Sequence, residues 1–130
     1  MPDPITDLLR SPRTVSFAVL LAAIATNLTG ETLMKHGMNQ TGELTFDARA
    51  LLRAFTNPWV VSGLGLAFGA AVLWLRVVSR EPLSWAFPML ALSYIPLLFI
   101  SRFVLGETVS PQRWLGAVVI IAGVFLVYRS

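Results

Sequence analysis

The sequence lacks cysteine and contains few charged residues. Of its 130 residues, only 13% are charged, whereas 55% are hydrophobic. The absence of cysteine excludes disulfides and thiolate metal sites. The low charge argues against a soluble domain, in which about a quarter of the residues are charged, and the hydrophobicity excludes a disordered chain. With a mean hydropathy of +0.70, the composition indicates a membrane protein.

Long apolar runs separated by short polar turns are the main feature of the chain. A membrane-spanning helix needs about 20 residues, so a chain of this length has room for four. The runs predict a single all-α domain, residues 1–130, with four transmembrane helices. The predicted spans cover about residues 15–35, 58–79, 82–105 and 111–128.

The one sizeable connection, residues 39–57, predicts a short helix at about residues 46–56. Apolar side chains recur there at helical spacing, while Arg49 and Arg53 lie four residues apart on the other side. Thr45 is the expected N-cap. Such a helix lies in the membrane interface with its basic residues toward the lipid headgroups, and packing on the protein's own surface is the alternative.

Several residues predict the geometry of the spans. Gly65 and Gly69 form a small-xxx-small pair that permits close approach of another helix to the second span. Pro88 and Pro96 each free a backbone carbonyl, so the third span is expected to be kinked. Ser110, followed by a proline, is the expected N-cap of the fourth span.

Ionisable side chains in the spans mark a candidate site. Glu31 and Arg102 fall inside spans, Lys35 falls at the edge of one, and Glu107 follows in the next turn. Because the first and third spans end at the same membrane surface, we expect these four residues to gather there. Glu31 and Lys35 are four residues apart and can pair on one helix face. Such a cluster is a functional hypothesis by default, and a permanent ion pair that fixes helix packing is the alternative.

Other polar residues accompany this cluster. Asn27 and Thr29 extend its polar face toward the membrane midplane, and Tyr94 is a similar candidate on the third span. These side chains either contact a substrate or bond to neighbouring helices. At the opposite membrane surface, Arg76 and Arg80 either catch an anionic headgroup or snorkel as anchors.

Tryptophan and basic residues bear on the orientation in the membrane. Trp59, Trp85 and Trp114 lie near span ends, where interface aromatics are expected. The ten Lys and Arg residues divide evenly between the two sides, so the positive-inside rule gives no orientation. If Arg102 and Arg113 are discounted as partly buried or turn-capping residues, the termini fall on the cytoplasmic side.

Three motifs resemble those of a known transporter superfamily. They are REPLSWAFPMLALSY (80–94), VLGETVSPQRWLGAVVIIAGVFLV (104–127) and, in the first span, GETLMKHGM (30–38). In order, spacing and span length they resemble the drug/metabolite transporter superfamily, which includes the EamA-domain transporters. Its four-helix members are the small multidrug resistance proteins and the paired subunits that flip undecaprenyl-phosphate-aminoarabinose.

The chain departs from the small multidrug exporters at their functional residues. Their essential membrane carboxylate lies three residues before the glycine of the first-span motif, where this chain has Asn27. Asparagine cannot carry the proton that such an antiporter exchanges. Their substrate-stacking aromatic residues would fall on Phe87, which lacks a hydroxyl, and on Leu90, which is not aromatic.

The resemblance to the aminoarabinose-lipid flippase subunits is closer. They share the Ala-aromatic-Pro-Met-Leu pattern of residues 86–90, the Glu-x-Val-Ser-Pro-x-x-Trp turn of residues 107–114 and a lysine that matches Lys35. The resemblance therefore implies transport of a polyprenyl-phosphate-linked sugar or a related anionic lipid across the bacterial inner membrane. For such a lipid, Lys35 and Arg102 would bind the phosphate, and Glu31 would bind a sugar hydroxyl or amine.

Gly116 and Gly123 lie one heptad apart on the fourth span and leave a flat groove on it. This arrangement resembles the glycine-heptad dimerisation motif of the small multidrug resistance proteins. We therefore expect a homodimer or a heterodimer with a related subunit, and packing within the chain is the alternative.

Two other functions stay open beside the flippase. One is a proton-coupled exporter of small cations that uses Glu31, and the other is an accessory membrane subunit of a glycosyltransferase. An enzyme is not expected, because the sequence has no nucleophile–base pair, metal set or phosphate loop. Neither a metal nor an organic cofactor is expected. The partners expected are membrane lipids rather than nucleic acid, because the arginines are scattered between apolar runs.

Overall fold

The computed structural model describes residues 3–5 and 12–130. Its main body is a set of helices joined by short connections. They are α1 (Pro12–Thr41), α2 (Ala48–Thr56), α3 (Pro58–Val78), α4 (Leu83–Val104) and α5 (Pro111–Arg129). All but α2 are long and apolar enough to cross a membrane. The prediction of an all-α protein with four spans and a short additional helix is confirmed.

Helix α1 is longer than the predicted span of about residues 15–35. Its 30 residues extend for about 45 Å, which exceeds a hydrocarbon layer of about 30 Å. The helix ends only where Gly42 adopts a left-handed φ of +87° and its N–H donates to the carbonyl of Met38 at 2.9 Å. The polar second half of α1 therefore stays helical alongside α3, where a Cβ added to Gly37 would lie 2.7 Å from Cγ2 of Val60.

Helices α1 and α3 pack against each other through two glycines. A Cβ added to Gly30 would lie 2.7 Å from the carbonyl oxygen of Gly63, and one added to Gly63 would lie 2.9 Å from the backbone nitrogen of Met34. Gly65 and Gly69, which were predicted to make a close helix contact, have nothing within 4 Å of such a Cβ. These two glycines lie on a different face of α3 from Gly63, where none of the described helices packs closely, so their predicted role stays a prediction.

Helix α2 rests on α1 and α3. Its N-cap is Asp47, whose Oδ1 accepts the N–H of Ala50 at 2.7 Å, and not Thr45 as predicted. A carboxylate is the stronger acceptor, and the helix dipole favours its negative charge. Ala50 and Ala54 are buried against the protein. Exposed apolar side chains on and beside the helix are Phe46, Leu52 and Phe55. One face of the helix thus packs on the protein, and another presents apolar side chains that suit the membrane interface.

Helix α4 is irregular between and after its two prolines. Its segments are an α-helix at Leu83–Met89, a 3₁₀ turn at Leu90–Ser93, an α-helix at Tyr94–Phe99 and a π-helical turn at Ile100–Val104. The 3₁₀ turn lies between Pro88 and Pro96, where the expected interruption falls. The π turn has no proline of its own and was not predicted.

Helix α5 begins as predicted. The Ser110 Oγ accepts the N–H of Arg113 at 3.4 Å, and a proline occupies the first helical position. The apolar core lies toward the end of the molecule where α5 finishes. It comprises Leu20, Ile24, Leu28, Val77, Trp85, Ala86, Met89 and Val124. Trp85 lies near the start of α4, as predicted, but it is only 4% exposed and so packs against the protein, whereas Trp59 is 43% exposed.

Candidate functional site

Two cavities lie side by side along the polar face of α1. The larger, about 460 Å³, is mostly apolar and is bounded by α1, α3 and α4. Its lining residues are Ala23, Ile24, Asn27, Ala67, Ala70, Ala71, Trp74, Phe87, Leu90 and Ser93. Trp74 and Phe87 meet edge to face, with their ring centroids 5.9 Å apart. Alanines from α1 and α3 make room for this cavity, and the two aromatic rings border it.

The smaller cavity, about 320 Å³, is polar and lies at the end of the molecule away from the termini. Its lining residues are Glu31, Thr32, Lys35, Leu97, Ser101, Leu105 and Glu107. The Nζ of Lys35 lies 3.5 Å from Oε1 of Glu107, and the two side chains are 51% and 39% exposed. This half-open ion pair joins α1 to the turn after α4. The predicted association of Glu31, Lys35 and Glu107 is therefore present in the structure.

Asn27 and Glu31 connect the two cavities. Asn27 lines the apolar cavity, Glu31 lines the polar one, and the Nδ2 of Asn27 donates to Oε1 of Glu31 at 2.8 Å. The spacing in the sequence allowed Glu31 to pair with Lys35. The ion pair found is instead between Lys35 and Glu107, since the turn after α4 brings a second carboxylate to the ammonium group.

The polar cavity carries an excess of negative charge. Its ionisable lining residues are two carboxylates, Glu31 and Glu107, and one ammonium group, Lys35. Formally these sum to −1. A guest that bears only an anion would be repelled by the carboxylates, whereas one that bears an amine together with an anion finds partners for both groups.

Three predicted site residues do not line either cavity. Arg102 is exposed on the π turn, while its neighbour Ser101 lines the polar cavity. The π turn contains a hydrogen bond between residues five apart, from the N–H of Leu105 to the carbonyl of residue 100 at 3.0 Å. Such a turn is wider than an α-helical turn, so it rotates the side chains that follow it relative to α1. Thr29 is exposed, and its hydroxyl donates to the carbonyl of residue 25 at 2.8 Å. Tyr94 is half-buried outside both linings.

The sequence did not single out Ser101 or Thr32, which line the polar cavity. Thr32 follows Glu31 directly and donates its hydroxyl to the carbonyl of residue 28 at 2.7 Å, so its proton is used within the helix and only its oxygen is left to accept. Its position beside the predicted Glu31 was the only signal available. Nothing in the sequence indicated that Ser101 lines the cavity, because the direction of its side chain depends on the π turn.

At the opposite end of the molecule, the predicted roles of Arg76 and Arg80, as anchors or as ligands of an anionic headgroup, stay predictions. Arg76 and Arg80 are both exposed there. Two other basic residues at this end contact the fold. The Nε of Arg13 lies 3.5 Å from Oε2 of Glu81 and its Cζ lies 5.1 Å from the centre of the Trp85 ring, while the Cζ of Arg129 lies 5.6 Å from the centre of the Phe125 ring.

Helix α5 presents its glycines outward. A Cβ added to Gly116 or Gly123 would meet nothing within 4 Å. Only 11% of the most apolar stretch of α5 is buried, compared with 22% to 28% for the other three spans. The glycine groove therefore faces away from the other described helices.

The chain matches the model of the EamA-like transporter family over residues 11–129. It is also similar to several curated bacterial proteins that share one name, probable 4-amino-4-deoxy-L-arabinose-phosphoundecaprenol flippase subunit ArnE. The protein of this name from Pseudomonas savastanoi pv. phaseolicola is 30% identical over 116 residues, which cover 89% of this chain and 99% of that protein.

Two other Pseudomonas proteins with this name give similar results. The one from Pseudomonas paraeruginosa is 31% identical over 119 residues and again covers 89% of this chain and 99% of the relative. The one from Pseudomonas fluorescens is 38% identical over 74 residues, which cover 57% of this chain and 65% of the relative. No solved structure gives a significant match.

Proposed function

Because the chain belongs to the EamA-like transporter family, we propose that it is one subunit of a flippase for a polyprenyl-phosphate-linked sugar. We place it in the bacterial inner membrane with its termini on the cytoplasmic side. The lipid named for its Pseudomonas relatives carries an amine and a phosphate on its headgroup. A lipid of that class is the proposed substrate here.

The observation that carries this proposal is the junction of an apolar and a polar cavity at Asn27 and Glu31. A polyprenyl phosphate has an apolar chain joined to a charged headgroup. The cavity beside Trp74 suits the first units of the chain, and the cavity beside Lys35 suits the headgroup. The substrate would thus lie along α1 with its phosphate near the change of polarity.

The charges of the polar cavity suggest how the headgroup binds. Lys35 supplies a cation for the phosphate, and Glu31 and Glu107 supply acceptors for an amine. Because Lys35 is already paired with Glu107, the phosphate would replace that carboxylate and free it for the amine. Arg102, exposed beside the cavity-lining Ser101, is the proposed second cation for the phosphate.

The proposed partner is a second copy of this chain or a related subunit. The relatives are named as subunits, which supports an assembly. Helix α5 supplies the proposed contact, since Gly116 and Gly123 are open and allow another helix to approach closely. Pairing there would also cover the least buried span.

Reconstituted flipping in proteoliposomes tests the site. Lys35→Ala should lower the rate of flipping of a polyprenyl-phosphate aminosugar by about ten-fold or more, because it removes the cation paired in the polar cavity. Arg102→Ala should also lower the rate. The matched control is Arg49→Ala, which removes an exposed basic side chain on α2. Full activity of both Lys35→Ala and Arg102→Ala would show that the cluster is structural.

A proton-coupled exporter of small cations is the second candidate. The negative charge of the polar cavity and the aromatic pair at Trp74 and Phe87 favour a cationic guest. However, the aromatic cavity has Asn27 and no carboxylate among its lining residues. Saturable binding of a quaternary ammonium compound that Glu31→Gln abolishes, without any response to polyprenyl phosphate, would favour the exporter over the flippase.

A further inference from the structure

The end of the molecule that carries the termini contains a second cluster of polar side chains, distinct from both cavities. Arg13 stacks over the Trp85 ring at 5.1 Å and contacts Glu81 at 3.5 Å. Ser16 follows Arg13 by one helical turn and so lies on the same side of α1. The Arg13 side chain is 50% exposed, whereas that of Glu81 is only 7% exposed.

Two hydrogen-bonding groups of this cluster are buried without a partner. Ser16 is 3% exposed and Trp85 is 4% exposed. Within the described part of the chain, neither the Ser16 hydroxyl nor the Trp85 indole nitrogen has a hydrogen-bond partner. The indole N–H can only donate, and the hydroxyl is able to donate. Such unpaired groups are rare in protein interiors because burying them costs free energy, and each requires an explanation.

The donors of the cluster suit an oxyanion once the Glu81 carboxylate, which would repel it, has moved away from Arg13. The Arg13 guanidinium contacts Glu81 through Nε and has further N–H donors on its two Nη atoms. Together with the Ser16 hydroxyl and the Trp85 indole it offers donors from three side chains, one of them charged. Arg76 and Arg80, the residues that the sequence suggested for this surface, lie exposed on α3 and in the turn after it.

We propose that Arg13, Ser16 and Trp85 form a second phosphate site, which is closed in this conformation. When this end of the molecule opens, the three side chains take up the phosphate of the lipid at the membrane surface opposite Lys35. Glu81 holds the guanidinium over Trp85 in the closed state and yields it to the phosphate in the open one. This inference rests on the proposed function, because the lipid that occupies the polar cavity is the source of the phosphate.

The indole N–H of Trp85 provides a direct readout. In the full chain, labelled with ¹⁵N-tryptophan and placed in lipid nanodiscs, its signal is assigned by its loss in Trp85→Phe. Undecaprenyl phosphate should shift this signal saturably, and undecaprenol, which lacks the phosphate, should leave it unchanged. An equal shift with undecaprenol would overturn the proposal. A saturable shift with inorganic phosphate alone would overturn the assignment of the site to a lipid.

Ser16→Ala separates a binding role from a structural one. Removing an unpaired buried hydroxyl should leave the thermal unfolding temperature unchanged or raise it. The same change should weaken the affinity for undecaprenyl phosphate by about five-fold or more, because one hydrogen bond to the phosphate is lost. Ser84→Ala, at an exposed serine of α4 near the same end, is the matched control and should alter neither quantity. Unchanged affinity in Ser16→Ala would overturn the proposal.

Flipping assays on the same samples distinguish this inference from the proposed function. If the wild-type protein flips the lipid and the Trp85 signal does not respond, the second site is wrong and the proposed function stands. If neither flipping nor a Trp85 response is found, the proposed function fails as well. A Trp85 response that persists in Lys35→Ala would support two separate phosphate sites.

Discussion

The close packing of α1 and α3 at Gly63 allows the sharpest prediction about stability. A Cβ on Gly63 would lie 2.5 Å from Met34 Cγ and 2.9 Å from Met34 N, and it would also clash with the carbonyl oxygen of Gly30. The Met34 side chain is flexible and can move away. The two backbone atoms can move only if the helices separate, so Gly63→Ala should weaken the packing of the two spans.

The size of the effect follows from two opposing contributions. Overpacking a well-packed contact costs about 1–3 kcal/mol. Replacing glycine with alanine inside a helix contributes about 0.5–1 kcal/mol in the favourable direction. Because backbone atoms are involved, we expect a net loss of about 1–2 kcal/mol in the free energy of unfolding, or about a 5- to 30-fold change in the unfolding equilibrium.

Gly65→Ala is the matched control, because Gly65 lies on the same helix as Gly63 and a Cβ there would meet nothing within 4 Å. It should keep only the favourable contribution and leave the protein at least as stable as the wild type. Thermal unfolding in detergent, followed by circular dichroism and by the fraction that stays soluble, ranks the three proteins. If Gly63→Ala unfolds at the same temperature as Gly65→Ala, the reasoning from the glycine crossing is refuted.

Two further predictions concern the ends and the surface of the bundle. Asn57→Ala removes the side-chain cap of α3 and the 3.3 Å hydrogen bond from the Asn57 Nδ2 to Gln40 of α1. The free energy of unfolding, measured by thermal unfolding, should fall by about 1–2 kcal/mol. An unchanged stability would contradict the assigned cap. If the proposed pairing through α5 gives a homodimer, Gly123→Leu should shift that dimer to monomer in analytical ultracentrifugation, whereas Gly69→Leu, at a glycine equally open on α3, should not. An unchanged dimer in Gly123→Leu would place the interface elsewhere.

The positions of the spans could be predicted because hydrophobicity and the capping residues are local properties of the sequence. Ser110 and the proline after it mark the start of α5 correctly. The length of α1 could not be predicted from hydropathy, since its polar second half stays helical until Gly42. Which glycines form a helix contact depends on the crossing of α1 and α3, and a single helix pattern does not contain that information.

The candidate site was predictable to the extent that it lies on the regular helix α1. Asn27, Glu31 and Lys35 follow the helical period, and all three line the two cavities. The residues that α4 contributes to the site were harder to predict. The π turn sets the direction of the Ser101 and Arg102 side chains, and no residue in the sequence indicates that a π turn forms there. Glu107 reaches Lys35 through the turn after α4, which helical periodicity does not describe.

The two ion pairs that join α1 to the ends of α4 differ in the exposure of their carboxylates, whereas the side chains of Arg13 and Lys35 are equally exposed, at 50% and 51%. At the end with the termini, Arg13 pairs with a Glu81 side chain that is 7% exposed, above a buried Trp85. At the other end, Lys35 and Glu107 are 51% and 39% exposed and line an open cavity. The carboxylate is therefore shielded at the first end and accessible at the second. Between these two ends, α1 and α3 are packed together at Gly30 and Gly63. Helix α4 is interrupted twice, by a 3₁₀ turn and a π turn, so its backbone hydrogen bonding is the least regular of the three helices.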